Sequence, residues 1–295
     1  MKYSVFHVEG GLGKNIAATA VARCIKNNYP DRDLIVVCSY PEVFLHNPIV
    51  EKVYTLGNTP YFYKDYIKDK DTYLFKHEPY FTNDHIQKKK SLIENWCSLY
   101  NIAYNNEKPE LFIPKRISDF VKLKYYRQKP IMLIQSNGGI LKGQTYNYAW
   151  TRDMPTDLVE KVVLRFSQNY HIIQVCRNEF NVLKGFPIEP IFDKMSNLEL
   201  LSLLLLSKKR LLIDSCLQHA AMALNLPSTV LWIGTSPKLF GYDLHDNIIA
   251  NPPKNEPKLI NSYLFDYNFE GILHESPYME GEDLFSVENI INSLI

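Results

Sequence analysis

The chain has 295 residues, of which 46% are hydrophobic, so it is long enough for two domains that each have a core. Its formal net charge of +1 provides no general attraction for nucleic acids or acidic membranes. The five cysteines form no C-x-x-C pair, which argues against a zinc or disulfide framework. A strand pattern begins within three residues of Met1, and the most apolar run is too short to span a membrane. We therefore expect a soluble, cytoplasmic protein without an integral membrane segment.

Strand and helix patterns alternate through the first half of the chain. A strand-like run over Tyr3–Val8 is followed by glycines at positions 10, 11 and 13 and then by helical spacing. The apolar run Asp33–Cys38 predicts a strand that is buried on both faces. Three further elements are expected in this half: strands at 51–54 and 72–75 and one long helix over His85–Tyr100. This alternation predicts a parallel sheet with helices on both sides.

The pattern starts again after a charged, aromatic helical stretch over Arg116–Gln128. Lys129-Pro130 breaks that helix, and a strand over Ile131–Gln135 leads into a polar glycine loop at Ser136–Gly139. The elements that follow are helix 156–168, strand 171–176, helix 197–206, strand 210–213, helix 215–224 and strand 228–233. The repeated opening of strand and glycine loop predicts two Rossmann-like lobes, at 1–128 and 129–280. A terminal helix within 281–295 is expected to pack back on the first lobe.

The glycine turn after the first strand has physical features of an anion site. A Walker A loop would need a hydroxyl residue where the chain has Asn15, and a dinucleotide fingerprint would need a third glycine at Ile16. Neither motif is present. Glycine nevertheless lets a backbone approach a ligand closely, and a helix N-terminus offers free N–H groups and partial positive charge. The turn therefore either holds a negatively charged group or simply connects a strand to a helix.

A sharper pattern lies in the second half, over residues 211–242. A buried strand ends at Asp214-Ser215, where a helix begins, and His219 lies four residues after Ser215 on the same helix face. The next strand leads into the turn Gly234–Pro237. Ligands in open α/β sheets bind at such strand ends, and hydroxyl and amide donors with a helix dipole suit a diphosphate. Each part also has a structural interpretation, as a helix cap, a buried histidine and an ordinary turn.

These segments resemble glycosyltransferase family 9, the heptosyltransferase-like enzymes of the GT-B fold. That family has a G-x-G-D turn, a D-S-G-x-x-H-x-A-A helix and a G-P-T-S-P turn. The corresponding segments of this chain are Gly11–Lys14, Asp214–Ala221 and Gly234–Pro237, with weaker matches at Pro48–Val53 to N-P-x-V-D-x-V and at Trp150–Pro155 to K-x-W-P. The resemblance covers roughly residues 9–54 and 129–242 and is strongest over 211–237. It implies an α/β protein whose two lobes face a central cleft.

The chain departs from the family pattern at three places. Lys14 replaces the aspartate that is the family's usual candidate for activating the acceptor hydroxyl, Cys216 replaces a glycine, and Ile233-Gly234 replaces Gly-Pro. We therefore expect Glu9, the carboxylate nearest the glycine turn, to act as the base, and Lys14 to help hold the donor's charge. Asp214 is the second candidate for the base. The expected donor-binding residues are Gly11, Gly13, Ser136, Asn137, Arg152, Asp214, Ser215, His219, Gly234, Thr235 and Ser236, and no metal ligand is assigned.

The resemblance implies that a sugar moves from a nucleotide-diphosphate-sugar to an acceptor hydroxyl, with inversion and without a metal. The sugar nucleotide is a co-substrate, so no cofactor is assigned. Residues 56–128 match no family motif and are expected to hold the acceptor, which could be a glycan, a lipid-linked saccharide or a modified nucleobase. Two alternatives stay open. One is a sugar-nucleotide 2-epimerase, whose helix motif has two glutamates that this chain lacks, and the other is an inactive sugar-nucleotide binder, which Lys14 makes credible.

Overall fold

The structure of the protein, a computed structural model, describes residues 1–138, 151–176, 179–192, 195–252 and 284–295. It divides into two compact units. The first comprises Met1–Lys115 together with Met222–Leu224, and the second comprises Arg116–Ala221 and Asn225–Ile295. Each unit is built on its own parallel sheet.

The first unit has a central sheet and a long alanine-rich helix. Its strands are β1 (Lys2–Val8), β2 (Asp33–Cys38), β3 (Val50–Thr55) and β4 (Asp71–Phe75), and its helices are α1 (Leu12–Asn28), α2 (Asn83–Ile86) and α3 (Leu92–Leu99). The strands are parallel in the order β3-β2-β1-β4. Alanine favours the helix and leaves room for close packing, so α1 buries a nearly continuous run over residues 15–22. The sheet also carries an aromatic cluster that includes Tyr3, Tyr54 and Tyr66.

The second unit has a larger sheet. Its described strands are β5 (Ile131–Gln135), β6 (His171–Val175), β7 (Ile188–Ile191), β8 (Lys209–Ile213), β9 (Thr229–Trp232) and β10 (Asp246–Ile249). Its described helices are α4 (Lys115–Lys124, whose first residue groups with the first unit), α5 (Thr156–Phe166), α6 (Asn197–Leu206), α7 (Cys216–Ala223), α8 (Pro237–Phe240) and α9 (Val287–Leu294). The strands are parallel in the order β10-β9-β8-β5-β6-β7.

Both sheets share one winding rule that determines where a ligand can bind. In each, the chain starts at an inner strand, moves outward to one edge, and then returns to the other side of the starting strand. The reversal lies between β1 and β4 in the first unit and between β5 and β8 in the second. In doubly wound sheets the crevice at the carboxyl ends of such a strand pair is the usual ligand site. The predicted alternation of strands and helices is confirmed, and the winding adds the position of the reversal.

The long helix predicted over His85–Tyr100 is wrong. The structure has two helices there, α2 and α3, separated by a turn in which Lys88 has a φ of 53°. Ser91 then starts α3 as its N-cap, because its side chain accepts a hydrogen bond from the backbone N–H of Glu94. The apolar residues keep a helical spacing across the connection between α2 and α3, although the backbone turns there and forms two helices.

Helix α4 groups with the second unit, whereas the sequence analysis placed residues 116–128 at the end of the first lobe. The contacts at the end of this segment explain the grouping. Arg127 donates two hydrogen bonds, of 3.1 and 2.8 Å, to the carboxylate of Glu189 in β7. Tyr125 is buried, and Lys124 Nζ lies 3.7 Å from Glu199 Oε1 of α6. These contacts attach the segment to the second sheet before β5 begins.

Helix α9 is part of the second unit rather than an arm packed on the first lobe, as we had expected. Its apolar stripe, with Ile290 and Leu294, is buried in the core cluster that includes α5 residues such as Val162. Ser286 is the N-cap of this helix, since its side chain accepts a hydrogen bond from Asn289 N at 3.3 Å. The terminal helix was correctly expected from the sequence, but the surface on which its apolar residues pack was not.

We predict that Ile290→Ala lowers the free energy of unfolding of the second unit by about 2–5 kcal/mol, because it opens a cavity in a fully buried site. The exposed neighbour Glu288 provides the control, and Glu288→Ala should change the free energy by less than about 0.5 kcal/mol. Urea denaturation of both variants measures the difference. Equal, small effects would show that α9 is not part of this core.

Candidate functional site

Polar loops collect at the reversal point of the second sheet. Ser136 and Asn137 follow β5, Asp214 and Ser215 follow β8, and Gly234–Ser236 follow β9. Since β5, β8 and β9 are neighbouring parallel strands, these loops emerge at the same edge of the sheet. The structure therefore brings the strand-end residues predicted from the sequence to one edge of the second unit.

Residues 151–154 connect two of these loops through backbone hydrogen bonds. Met154 N donates to Ser136 O at 2.9 Å, and Gly234 N donates to Thr151 O at 2.7 Å. The carboxylate of Asp153, which is fully buried, accepts a hydrogen bond from Gly138 N at 3.0 Å. We call residues 151–154 the bridging segment. It fixes the loop after β5 and the turn after β9 with respect to each other, and it carries Arg152.

Two glycines lie close to the bridging segment, and the contact requires glycine at one of them. A Cβ added at Gly234 would lie 2.8 Å from the Cβ and 3.0 Å from the Cα of Thr151, and one added at Gly138 would lie 2.9 Å from the Cδ of Arg152. The first of these neighbours includes backbone, which cannot move aside easily. Glycine at 234 is therefore explained by packing against the bridging segment, to which its N–H group also donates a hydrogen bond.

Asp214 is the buried carboxyl group of this site. Burial raises its pKa, while the charge of Arg152 and the nearby Thr235 hydroxyl act in the opposite direction. Arg152 and Thr235, from two different segments, thus lie close enough to affect the same carboxyl group. Ser215 follows it as a half-buried residue at the start of α7, where unpaired N–H groups of the first turn are directed outward.

The polar side chains of the loop after β5 form hydrogen bonds with each other and with β6. Gln174 of β6 donates from Nε2 to Ser136 Oγ at 2.8 Å, and Ser136 Oγ donates to Asn137 Oδ1 at 2.9 Å. All three side chains are buried. Gln174 was not identified in the sequence analysis, and its place inside a buried strand was the available signal. Ser136 and Asn137 are thus held in one arrangement.

His219 and Ser236 have structural partners. His219 Nδ1 lies 2.8 Å from the Tyr242 hydroxyl, and the two rings meet edge to face. Burial, with a smaller contribution from His245, lowers the pKa of His219 to about 3. The ring is therefore neutral at physiological pH. Ser236 Oγ accepts a hydrogen bond from Lys238 N at 3.3 Å and so caps α8. Contact of either residue with a donor stays a prediction.

In the first unit, the reversal point holds the glycine turn. Gly10 has a φ of 99°, which a residue with a side chain rarely adopts, and Gly11 is the N-cap of α1. The amide of the buried Asn15 donates to the carbonyls of Gly10 and Gly11 at 3.2 and 2.9 Å. Asn15, which excluded a Walker A loop, therefore acts as the residue that holds the turn. Gly13 lies inside the first turn of α1.

Lys14 is directed into the first unit. Its ammonium group forms an ion pair with Glu78, which follows β4, and lies 5.1 Å from the ring centre of Tyr80 and 5.5 Å from that of Trp96. Only 10% of the Lys14 side chain is exposed, compared with 33% for Glu78. Its charge is thus compensated by a carboxylate and two aromatic faces. Glu78 was missed in the sequence analysis; the one available signal was its position after the strand at 72–75.

Glu9 lies at the end of β1 beside a histidine. Its Oε1 atom is 3.6 Å from His7 Nδ1, and 53% of its side chain is exposed. Burial lowers the pKa of His7, although Glu9 acts in the opposite direction. His7 is therefore close to neutral at physiological pH and does not neutralise Glu9. The carboxyl ends of β1 and β4 thus present two carboxylates, Glu9 and Glu78.

Two Asp-x-Asp triplets occur in the first unit but lie at the other end of its sheet. Asp33 begins β2 and Asp71 begins β4, so both are at the amino ends of parallel strands. Asp31 accepts a hydrogen bond from Lys2 at 2.7 Å, and the Asp71 carboxylate accepts two from Arg32, each of 2.8 Å. One aspartate of each triplet, Asp31 and Asp71, is therefore engaged in an ion pair away from the glycine turn. Across the part of the chain that the structure describes, no group of three or more acidic, histidine or cysteine residues is placed to hold a metal ion.

Comparison with solved structures identifies this architecture. The chain is similar to a glycosyl transferase family 9 protein from Veillonella parvula, with a TM-score of 0.69 and 11% identity, over 99% of this chain and 95% of the other. It is also similar to the E. coli ADP-heptose lps heptosyltransferase II, with a TM-score of 0.60 and 11% identity over 90% and 97% of the two chains. For the E. coli heptosyltransferase WaaC with ADP, the values are 0.54 and 14% over 84% and 93%. The chain has the fold of family 9 glycosyltransferases.

This result confirms the GT-B-like fold class that the motifs predicted. The likeness is one of structure, since no protein-family model and no curated protein sequence matches the chain. Within this GT-B-like fold, the loops after β5, β8 and β9 lie at the reversal point of the second sheet, and the glycine turn lies at that of the first. Among the helices that the structure describes, none has the length and apolarity to cross a membrane.

We predict that His219→Gln removes part of the acid sensitivity of the fold. The folded His219 has a pKa of about 3, below its ordinary value of 6.5, so as the pH falls only the unfolded chain binds a proton there. Its contribution to stability is present above pH 6.5 and is lost between pH 6.5 and about 3, by up to ~1.4 kcal/mol per pH unit.

Urea denaturation at pH 7.5, 6 and 5 measures this effect. The difference in unfolding free energy between the parent and His219→Gln should narrow as the pH falls. Tyr242→Phe serves as the control, because it removes the hydroxyl but keeps the titrating ring, so its difference from the parent should stay nearly constant. Parallel curves for His219→Gln would contradict the assignment of a buried, neutral imidazole.

Proposed function

We propose that the protein is a glycosyltransferase that moves a sugar from a nucleotide-diphosphate-sugar to an acceptor hydroxyl. One observation carries this proposal: a family 9 glycosyltransferase fold whose second sheet gathers hydroxyl, amide and cationic groups at its reversal point. Ligands of doubly wound sheets bind at that point. The motifs at 211–237 that resemble the family lie in these same loops.

The second unit is the proposed donor-binding unit. Ser215 and Thr235 supply hydroxyl groups, Arg152 supplies a positive charge, and the first turn of α7 supplies backbone N–H groups that have no partner within the helix. Hydrogen bonds from such donors to an ionised diphosphate are stronger than those to neutral acceptors. Ser136, Asn137 and Gly234 complete the surface, while His219 and Tyr242 hold α7 in place. An ADP-linked sugar is the first candidate, because one similar structure is that of an ADP-heptose heptosyltransferase and another contains ADP.

We further propose a single displacement with inversion and without a metal ion. When the sugar leaves, negative charge develops on the diphosphate, and Arg152 with the α7 N-terminus would stabilise it. The Asp-x-Asp triplets are not proposed to contribute, because they lie at the opposite end of the first sheet, where Asp31 pairs with Lys2 and Asp71 with Arg32. The acceptor hydroxyl loses its proton to a base as it attacks.

The first unit is proposed to supply that base and the acceptor contacts. Glu9 is half exposed and lies directly before the glycine turn, so its carboxylate can reach a hydroxyl group. Lys14 would act mainly through its ion pair with Glu78, by holding the start of α1 to the end of β4. The acceptor is proposed to be a saccharide or a lipid-linked saccharide that binds to residues 56–115, the part of the predicted acceptor region 56–128 that belongs to this unit.

We predict that Ser215→Ala and Thr235→Ala each weaken donor binding by ~1–3 kcal/mol, because each leaves a phosphate oxygen without a hydrogen bond. A thermal-shift panel of ADP-, UDP-, GDP-, CDP- and dTDP-sugars first identifies the donor that stabilises the protein. Calorimetric titration then gives the affinity of each variant. Two control variants should bind as the parent does. These are Thr235→Ser, which keeps the hydroxyl, and Ser167→Ala, at the C-terminal end of α5. Unchanged affinity in the Ser215/Thr235 double variant would overturn the proposed site.

We predict that Glu9→Gln leaves donor affinity intact and lowers turnover by ~10²–10⁴, because it removes the base but keeps the size and polarity of the side chain. Turnover is measured with the donor found above and a panel of saccharide acceptors. Glu51→Gln, at an exposed position on β3, provides the control and should have normal turnover. If Glu9→Gln remains active and Glu78→Gln does not, the base is the carboxylate at the end of β4 instead.

A further inference from the structure

Helix α4 and Tyr126, which is the second residue after its end, present an apolar face to solvent. Phe120, Leu123 and Tyr126 are 52%, 80% and 76% exposed. Phe120 and Leu123 are three residues apart, so they are neighbours on one side of the helix. We call these three residues with Arg116 and Lys122 the α4 outer face. Three large apolar side chains so close together are uncommon on a surface that meets only water.

The opposite side of the helix prevents this face from turning inward. Val121 is fully buried and Tyr125 is 6% exposed. Arg127 is bonded to Glu189, and Lys129 donates a hydrogen bond to Ser167 O at 3.0 Å. These contacts hold the helix in one rotation on the second unit. The outer face is therefore a fixed property of the folded protein.

The charge around this face is strongly biased. Residues 115–129 contain six basic side chains and one acidic side chain, in a chain whose net charge is only +1. Glu189 and Glu199 compensate Arg127 and Lys124. Arg116 is exposed one turn before Phe120, Lys122 is exposed next to Leu123 at the margin of the face, and the single acidic residue, Asp119, is exposed on the same side as Arg116. The outer face thus combines large apolar groups with cations, which is the composition of helices that lie in the surface of an anionic membrane.

We propose that the α4 outer face binds anionic lipid surfaces, with Phe120 and Leu123 inserted among the acyl chains and Arg116 and Lys122 near the headgroups. The positive charge of the α4 outer face favours an anionic lipid surface over a second copy of the chain as its partner. A symmetric contact between two copies would place the same cations against each other, and they would repel. Phosphate-rich lipid headgroups attract these cations, while the acyl chains accept the apolar side chains.

Flotation with vesicles tests the proposal directly. The protein should float with vesicles of phosphatidylcholine and phosphatidylglycerol at a ratio of 7:3 and at least about tenfold less with phosphatidylcholine alone. Raising the salt from 0.1 to 0.5 M should also weaken binding, because it screens the headgroup charge. The vesicles contain neither sugar nucleotide nor acceptor, so the outcome does not depend on the proposed transfer reaction.

Variants identify the face. Phe120→Ala with Leu123→Ala should reduce binding at least about tenfold, and Arg116→Gln with Lys122→Gln should reduce it about fivefold for each cation removed. Leu45→Ala and Leu74→Ala, at other exposed leucines, are the matched controls and should bind as the parent does. No flotation with the anionic vesicles, or equal flotation of all variants, would overturn the proposal. A dimer that dissociates only in the Phe120/Leu123 variant would show instead that the face joins two copies.

Discussion

The reversal of the second sheet between β5 and β8 is the constraint on which the proposed donor site depends. The loops after β5, β8 and β9 emerge at the same end of the sheet because these strands are parallel neighbours. The chain winds outward in opposite directions from β5 and from β8, which leaves the crevice for a ligand between these two strand ends. The bridging segment then fixes the spacing of these loops by two backbone hydrogen bonds, Met154 N to Ser136 O and Gly234 N to Thr151 O. The site is therefore assembled mainly from backbone, with a few side chains placed on it. A scaffold of this kind tolerates changes at individual motif positions, such as the Gly-Pro that is Ile233-Gly234 here.

In the first unit, position 14 carries a positive charge where the glycosyltransferase family 9 motif has a negative one. Lys14 replaces the aspartate of that motif, and it contacts Glu78, Tyr80 and Trp96. The carboxylate that is absent from the start of α1 is present at the end of β4. The ion pair connects the start of α1 to the segment after β4, and it compensates the charge of Lys14 without a bound ligand. It also explains why Lys14 alone does not indicate an inactive protein.

Local pattern predicted the elements of both sheets where strands are buried on two faces, as in Ile131–Gln135 and Arg210–Ile213. It identified β3 and β4 at the edges of the first sheet, but it missed the edge strands β7 and β10 of the second sheet and the break between α2 and α3. Edge strand β7 contains Pro190 and lacks a continuous apolar run, so nothing in its sequence marked it as a strand. Helical spacing continued across Lys88, where the backbone turns, although Ser91 and Glu94 offered the signal of a new helix start.

Of the candidate site, the strand-end residues could be predicted because motifs and strand ends are local features. The ion pair between Lys14 and Glu78 and the bond between His219 and Tyr242 could not. Each joins residues whose proximity depends on strand order. His219 shows the consequence: its spacing from Ser215 suggested a ligand contact, whereas burial and Tyr242 make it a neutral member of a structural cluster.

The most direct test of the account is a crystal structure of the protein with a nucleoside diphosphate, beginning with ADP. The account predicts that the diphosphate lies at the loops after β8 and β9, with oxygens within about 3 Å of the Ser215 and Thr235 hydroxyls. Arg152 should be directed toward the same phosphates. Binding of the nucleotide elsewhere, for example in the surface groove that β10 residues Asp246–Ile249 form with Asn289, Asn292 and Ser293 of α9, would contradict the assignment of the donor site.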